Sequence, residues 1–80
     1  EADLAGAMLY VVNEDAPGFI GRLGTTLGEA QVNIGTFHLG RRRSGGEAVL
    51  LLSLDSAADE ALVAKVRALP GVKRTMALRF

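Results

Sequence analysis

Residues 8–30 have the sequence MLYVVNEDAPGFIGRLGTTLGEA and predict a strand, a turn and a helix in immediate succession. The β-branched and apolar run at residues 8–12 is typical of a strand. Pro17 suits the first turn of a helix, and Asp15 just before it could accept hydrogen bonds from the free backbone amides there. From residue 19 to about residue 30 the apolar residues recur at helical spacing. This spacing predicts an amphipathic helix whose buried face holds Ile20, Leu23, Leu27 and Ala30.

The rest of the chain predicts a hairpin, a second helix and a final strand. Residues 33–39 (NIGTFHL) and 47–54 (EAVLLLSL) are typical of two strands, joined by a turn at residues 40–46. Three consecutive leucines at residues 50–52 predict that both faces of the third strand are covered, which puts that strand in the middle of the sheet. Residues 72–80 predict the last strand.

The second helix is predicted between the hairpin and the last strand. Ser56, with Asp59 three residues later, is typical of a capping box that opens a helix. Pro70 and Gly71 are expected to end it. The residues expected on its buried face are Leu62, Val66 and Leu69.

The resulting element order is βαββαβ. Two βαβ halves of this length, with right-handed crossovers, close into one four-stranded antiparallel sheet with both helices on one face. The fold class predicted is therefore α+β, a ferredoxin-like plait with strand order 4-1-3-2. The second strand then lies at an edge, and both this edge and the bare face of the sheet are candidate contact surfaces.

Composition limits the functions open to so short a chain. Its 80 residues and 8.4 kDa allow one domain. Nine Lys and Arg balance nine Asp and Glu, which argues against generic binding to nucleic acids or anionic membranes. Cysteine is absent, which excludes disulfides and thiolate metal sites. The chain is 49% hydrophobic without a membrane-length apolar run or a signal-peptide pattern. We therefore expect a soluble, cytoplasmic domain that associates with a partner, first of all with another copy.

Other functions of the plait are disfavoured by the residues that they need. Base stacking in RNA-recognition modules requires aromatic residues on the two central strands, where this sequence offers only Tyr10. A phosphate site in the loop after the first strand would need an arginine, whereas Glu14 and Asp15 would repel a phosphate. No Ser-His-Asp constellation or metal cluster is assembled in the sequence. The sequence thus predicts neither catalytic residues nor metal ligands.

The loop before the first helix carries the strongest indication of a ligand. A helix N-terminus presents unpaired backbone amides and a partial positive charge, so it attracts a carboxylate. Asp15 beside it could take an ammonium group, and together they predict a site for a free amino acid. The alternative is that Asp15 only caps the helix. A strip of glycines on the helix leads us to hypothesise close approach of another backbone there, at Gly21, Gly24 and Gly28.

Two short motifs at this spacing resemble the signature of the ACT domain family. The first is residues 13–21 (NEDAPGFIG), and the second, after the helix, is residues 32–34 (VNI). More closely, residues 8–80 are similar to the C-terminal ACT domains of the bacterial D-3-phosphoglycerate dehydrogenase family. The resemblance implies a small βαββαβ regulatory module that binds an amino acid at the interface between two copies.

The resemblance also implies a place within a larger enzyme. Residues 1–7 would be the remnant of a linker from a preceding domain, and residues 8–80 the ACT regulatory domain. The parent would oxidise 3-phosphoglycerate with NAD in serine biosynthesis, whereas this fragment would hold no cofactor and no catalytic residue. L-serine, or a similar small amino acid, would bind between two domains whose sheets become continuous, and would inhibit the enzyme allosterically.

The same resemblance implies which residues bind the effector. The family's polar contacts match Asn13 and Asp15 in the loop after the first strand, and Asn33 of the neighbouring copy. Backbone amides around the helix start would take the serine carboxylate and Asp15 its ammonium group. The expected effector-binding set is Asn13, Asp15, Pro17, Gly18, Phe19, Ile20 and Asn33.

Two alternatives stay open. The first is a purely structural oligomerisation domain of the same enzyme that binds no effector. The second, a free-standing amino-acid sensor, is less favoured because the sequence starts at Glu1 as if excised. His38 is expected to be a surface or packed residue rather than a ligand or base, and Glu14 is expected at the surface. The three arginines at residues 41–43 are expected in a solvated hairpin turn or in contact with the rest of the enzyme. The aromatic residues expected in the core or an interface are Tyr10, Phe19, Phe37 and Phe80.

Overall fold

The structure is a computed structural model that describes residues 7–41 and 46–79. In the described chain the four strands form one antiparallel sheet in the order β2-β3-β1-β4, which confirms the predicted order and the ferredoxin-like βαββαβ plait. The elements in chain order are β1 (Ala7–Glu14), α1 (Phe19–Glu29), β2 (Ile34–Arg41), β3 (Glu47–Leu54), α2 (Glu60–Arg67) and β4 (Val72–Arg79).

The hydrophobic core lies between one face of the sheet and the two helices. β1 and β3 pair so that Leu9 lies opposite Leu52 and Val11 opposite Leu50, and all four side chains are fully buried. Side chains alternate between the faces of a strand, so these four point the same way. Each such burial stabilises the fold by about 1.5–3 kcal/mol. The helices complete this core with Phe19, Leu23, Leu27, Leu62 and Val66.

No element of the described chain covers the opposite face of the sheet. Tyr10 lies opposite Leu51 and Val12 opposite Val49 on this face, and all four are only half-buried. The expectation that both faces of β3 are covered is therefore wrong. The predicted position of β3 in the middle of the sheet is confirmed. Leucines occur at the consecutive positions 50–52 because the uncovered face of the central strands is apolar, as the core face is.

The buried face of α1 differs from the prediction by one position. Ile20 was expected in the core but is 44% exposed, whereas Phe19 is 2% exposed. The reason is that the helix starts at Phe19, so its buried stripe runs through Phe19, Leu23 and Leu27 at intervals of four residues. Ile20 is thereby left at the surface beside the start of the helix.

The cap of α2 also differs from the prediction. Asp59 is the N-cap residue, and its carboxylate accepts a hydrogen bond of 2.8 Å from the backbone N–H of Leu62. The Ser56 hydroxyl instead donates to Asp55 at 3.3 Å, so Ser56 does not open the helix. The predicted capping box is therefore wrong, and the helix starts one turn later than that box would place it.

β2 is an edge strand that is exposed along its whole length. It extends two residues beyond the prediction, to Arg41, and pairs with β3 only. Phe37 and Leu39 lie opposite core residues of β3, yet 41% and 42% of their surfaces are exposed. The helices therefore leave the side chains of this strand uncovered, which confirms the predicted open edge.

Several expectations fall at the limits of the described chain. Ala7, expected in the linker, is the first residue of β1 and is buried. Residues 1–6, 42–45 and 80 lie outside the described residues, and with them the rest of the linker, Arg42, Arg43 and Phe80. None of the helices that the structure describes has the length and apolar character needed to cross a membrane.

Candidate functional site

A cavity of about 310 Å³ opens where the end of β1, the start of α1 and the end of β2 meet. Its size is at the lower end of the roughly 300–1,000 Å³ that is common for small-ligand pockets. Six of the seven predicted effector-binding residues line it, namely Asn13, Asp15, Pro17, Gly18, Phe19 and Ile20.

One row of residues across the sheet forms the floor of this cavity. Ala48 of β3 lies opposite Asn13 of β1 on one side and opposite Arg41 of β2 on the other. Adjacent strands lie about 4.8 Å apart, so the backbones of Asn13 and Arg41 are about 10 Å apart. The short side chain of Ala48 between two longer ones leaves the space that the cavity occupies.

The start of α1 presents its backbone amides to the cavity. Gly18 is the N-cap residue and adopts a left-handed conformation with φ of 86°, which favours glycine because it has no Cβ. Within the described residues no side chain caps this helix, and its first turn holds no acidic residue. The N–H of Phe19 donates to the carbonyl of Ala16 at 3.4 Å. The amides that follow it in the first turn, together with the positive end of the helix dipole, can attract an anion.

Asn13 lines the same cavity and holds an acceptor that is unused within the described chain. Its side chain is 2% exposed, and its amide nitrogen donates a 2.7 Å hydrogen bond to the backbone carbonyl of Glu14. Its oxygen, Oδ1, is buried and has no partner among the described residues. An acceptor left unpaired in this way costs about 1–3 kcal/mol, which a donor from a ligand in the cavity would offset.

Asp15 is held by an arginine from the edge strand. Nε of Arg41 donates to a carboxylate oxygen of Asp15 at 2.6 Å, and the two side chains are 64% and 33% exposed. The backbone N–H of Asp15 donates to the carbonyl of Gly46 at 2.7 Å, which fixes the loop. Asp15 therefore does not cap α1, and the alternative that it acts only as a cap is wrong.

Arg41 is a charged cavity residue that the sequence did not predict. The prediction ended the second strand at Leu39 and assigned Arg41 to the solvated turn, because Gly40 is a typical turn residue. In the structure β2 continues, and its pairing with β3 carries Arg41 to the cavity wall. The signal available in the sequence was the length of the third strand, since an eight-residue partner allows an eight-residue β2.

Asn33 lies at the far end of the sheet from the cavity. The register places Ile34 opposite Leu54, whereas Asn13 pairs with Ala48, six residues away on β3. At about 3.3 Å per residue this separation is about 20 Å, so Asn33 cannot reach the cavity of its own chain. Within one copy the structure therefore does not bring it together with the other six residues.

Asn33 is instead fixed by Asp55. Its backbone N–H and its side-chain amide donate to the two carboxylate oxygens of Asp55, each at 3.0 Å. The hydrogen bond from the backbone N–H of Asn33 is the largest cause that holds the pKa of Asp55 below its usual value; desolvation is the next largest and opposes it. The two hydrogen bonds to Asp55 hold the Asn33 side chain in a fixed position at the start of the edge strand.

The geometry supports binding of a small zwitterion better than catalysis. The cavity combines a helix start and an arginine, which attract a carboxylate, with an amide oxygen and a carboxylate, which attract an ammonium group. In the described part of the chain no three His, Cys, Asp or Glu side chains lie together as a metal site would require.

Comparison with known proteins shows the family to which this chain is related. The family model described as the ACT domain matches residues 7–71. The D-3-phosphoglycerate dehydrogenase of Methanocaldococcus jannaschii is 38% identical over 68 residues, which are 85% of this chain and 13% of that protein. The D-3-phosphoglycerate dehydrogenase of Bacillus subtilis is 36% identical over 67 residues, which are 84% of this chain and 13% of that protein. The chain thus spans about an eighth of the length of these relatives.

A solved structure supports the fold. The crystal structure of the ACT domain from GTP pyrophosphokinase of Chlorobium tepidum superposes with a TM-score of 0.70. The match covers 90% of this chain and 95% of that chain at 22% sequence identity. At this identity the likeness concerns the fold alone.

Proposed function

The chain belongs to the ACT domain family, and on this basis we propose that it is the amino-acid-binding regulatory domain of a D-3-phosphoglycerate dehydrogenase. The proposed effector is L-serine or a similar small amino acid. The similarity to two D-3-phosphoglycerate dehydrogenases supports this proposed identity of the parent enzyme. The parent would be cytoplasmic and would use NAD outside this chain.

The unpartnered oxygen of Asn13 is the observation that carries the proposal. A buried acceptor beside a cavity needs a donor, and an ammonium group supplies up to three. The uncapped start of α1 faces the same space and favours a carboxylate. An α-amino acid carries both groups on neighbouring atoms, so one small ligand satisfies both sides of the cavity.

The site is proposed to be completed by a second copy. ACT domains generally dimerise, and the exposed β2 edge offers main-chain groups for antiparallel pairing with another β2. If two β2 strands pair over their full length, Ile34 of one copy lies opposite Arg41 of the other. Asn33 of the second copy then lies next to the cavity of the first and can donate to the ligand or accept from it.

Regulation would follow from linkage. A ligand that contacts both copies favours the paired arrangement by its difference in affinity, commonly about 1–3 kcal/mol of coupling. In the proposed parent enzyme this preference would change the hinge between regulatory and catalytic parts.

A purely structural oligomerisation domain is the second candidate. Two observations favour it: Asp15 is already paired with Arg41, and the exposed apolar residues of β2 would support association without a ligand. Such a domain would dimerise but would bind no amino acid.

Calorimetric titration of the chain with L-serine separates the two candidates, with glycine, L-alanine and L-threonine as comparison ligands. We expect saturable binding that is lost in Asn13→Ala. Thr75→Val is the matched control because Thr75 is 3% exposed and its hydroxyl also lacks a partner among the described residues, but it lies on β4 and does not line the cavity. No binding at millimolar concentration by a chain that still dimerises would contradict the proposal and support the structural domain.

A further inference from the structure

We propose that Arg41 is a specificity-determining residue of this site and recognises the ligand's carboxylate, with Asp15 acting as its positioning residue rather than as the ammonium acceptor. This inference rests on the proposed function and changes the expected division of roles among the cavity residues. The ammonium group is assigned to Oδ1 of Asn13.

Asp15 is already engaged by Arg41. One of its carboxylate oxygens accepts from Nε of Arg41 at 2.6 Å, which leaves fewer acceptor positions for an ammonium group. Oδ1 of Asn13, in contrast, is buried and has no partner in the described chain. Of the two acceptors, Asn13 therefore has the stronger need for a donor.

Arg41 has more donors than its contact with Asp15 uses. A guanidinium carries five N–H donors in a fixed fork, and the contact with Asp15 is made through Nε. The terminal nitrogens can form the paired hydrogen bonds that match a carboxylate. The side chain is 64% exposed, so it can adjust to a ligand without disturbing the core.

The strand register brings Asn13 and Arg41 to the same part of the sheet. They lie in one row on either side of Ala48, so a residue with an acceptor and a residue with a cation line opposite sides of the cavity floor. The uncapped start of α1 adds a second positive partner for the carboxylate. A ligand with an ammonium group but no carboxylate would satisfy only the Asn13 side. The site is therefore expected to select α-amino acids over amines.

The test compares L-serine with L-serinamide, which has a neutral amide in place of the carboxylate, at a pH where both ligands carry the ammonium group. NMR chemical-shift titration of the chain follows weak binding and reports the affinity of each variant for each ligand. Arg41→Gln should weaken L-serine binding about tenfold to a hundredfold, the usual effect of losing a charge-assisted hydrogen bond. Its effect on L-serinamide should be less than twofold.

Asp15→Asn separates a positioning role from a contact with the ligand. If Asp15 acts through Arg41, this variant weakens L-serine binding and leaves L-serinamide binding unchanged. If Asp15 holds the ammonium group, both ligands lose affinity equally, and that result would overturn the proposal.

The matched control is Lys73→Gln. Lys73 also forms a surface ion pair, at 3.0 Å with Glu47, which raises the pKa of Lys73, and it does not line this cavity. This variant should bind L-serine as the unsubstituted chain does. If Arg41→Gln binds L-serine with an affinity within twofold of that of the unsubstituted chain, the inference is overturned but the proposed function is not. Failure of the unsubstituted chain to bind L-serine would overturn the proposed function and the inference with it.

Discussion

Asn13 and Asp15 are separated by one residue and line the same cavity, yet their surroundings differ. Asn13 is buried with an unused acceptor, whereas Asp15 is partly exposed and paired with Arg41. The sequence predicted both as ligand residues because both are polar and precede a helix. It could not distinguish them, because the difference depends on a residue 26 positions later that only strand pairing brings near.

Asp55 gives a prediction at the scale of a single residue. Its folded pKa lies below the ordinary value of 3.8, first because the backbone N–H of Asn33 donates to it. It therefore stabilises the fold above that value, and this contribution is lost as the pH falls through the lower folded pKa. Asp55→Asn should lower the melting temperature at neutral pH, and the difference from the unsubstituted chain should shrink below pH 3.8.

Thermal unfolding followed by circular dichroism over an acid-to-neutral pH series measures this difference. Glu60→Gln, which removes an exposed carboxylate at the start of α2, controls for the general loss of one negative charge. A difference for Asp55→Asn that stays constant across the series would contradict the assignment.

The elements show why periodicity predicts some boundaries better than others. The bounds of β3 agree with the prediction because its even-numbered residues face the core and its odd-numbered residues do not. β2 has no such alternation, since all its residues are exposed, and its end was placed at Leu39 instead of Arg41. The start of α2 was misplaced because Ser56 and Asp59 both suit a cap, and only the hydrogen bond to Leu62 decides between them.

Two glycines of the first helical segment give a prediction at the scale of the element. Gly18 has φ of 86°, and a Cβ there would lie 3.2 Å from Nη1 of Arg22. Gly24 lies inside α1, and no atom of the described residues comes within 4 Å of its Cβ position. Gly18→Ala should destabilise the fold by about 1–2 kcal/mol, because L-residues disfavour this conformation. Gly24→Ala should stabilise it by about 0.5–1 kcal/mol.

Urea unfolding of the two variants provides the measurement. Equal effects of both substitutions would show that the left-handed N-cap is not needed to start α1. The hypothesis that the strip of Gly21, Gly24 and Gly28 admits another backbone remains a prediction. The additional methyl group of Gly24→Ala tests it, because a close contact would make this variant associate more weakly while unfolding at higher urea concentration.

At the scale of the whole molecule, the exposed apolar side chains are unevenly distributed over the surface. Ile34, Phe37 and Leu39 lie along one edge strand, and Ile20 lies at the start of the neighbouring helix. The topology of the sheet could be predicted from the order and lengths of the elements, since right-handed crossovers permit few arrangements. What pairs with the open edge could not be predicted in this way, because the pairing of two copies depends on contacts between chains, and a single chain only exposes the surfaces involved.

Lysine substitutions at the two sheet edges test which edge associates. Phe37 on β2 and Met76 on β4 are 41% and 45% exposed, so a charge at either position should leave the core intact. Phe37→Lys should shift the chain towards monomer, because an edge charge opposes strand pairing. Met76→Lys should associate as the unsubstituted chain does. Sedimentation velocity measures both, and equal association of the two variants would contradict pairing through β2.

The shared effector site is tested most directly by mixing two defective variants. Asn13→Ala and Asn33→Ala should each abolish L-serine binding in their own dimers, since every site then lacks one of its two sides. After mixing and re-equilibration, each mixed dimer contains one site with an intact Asn13 from one copy and an intact Asn33 from the other. Calorimetry should then detect restored L-serine binding at one site per mixed dimer. If mixed dimers form and bind no more L-serine than the separate variants, the effector does not lie between Asn13 of one copy and Asn33 of the next.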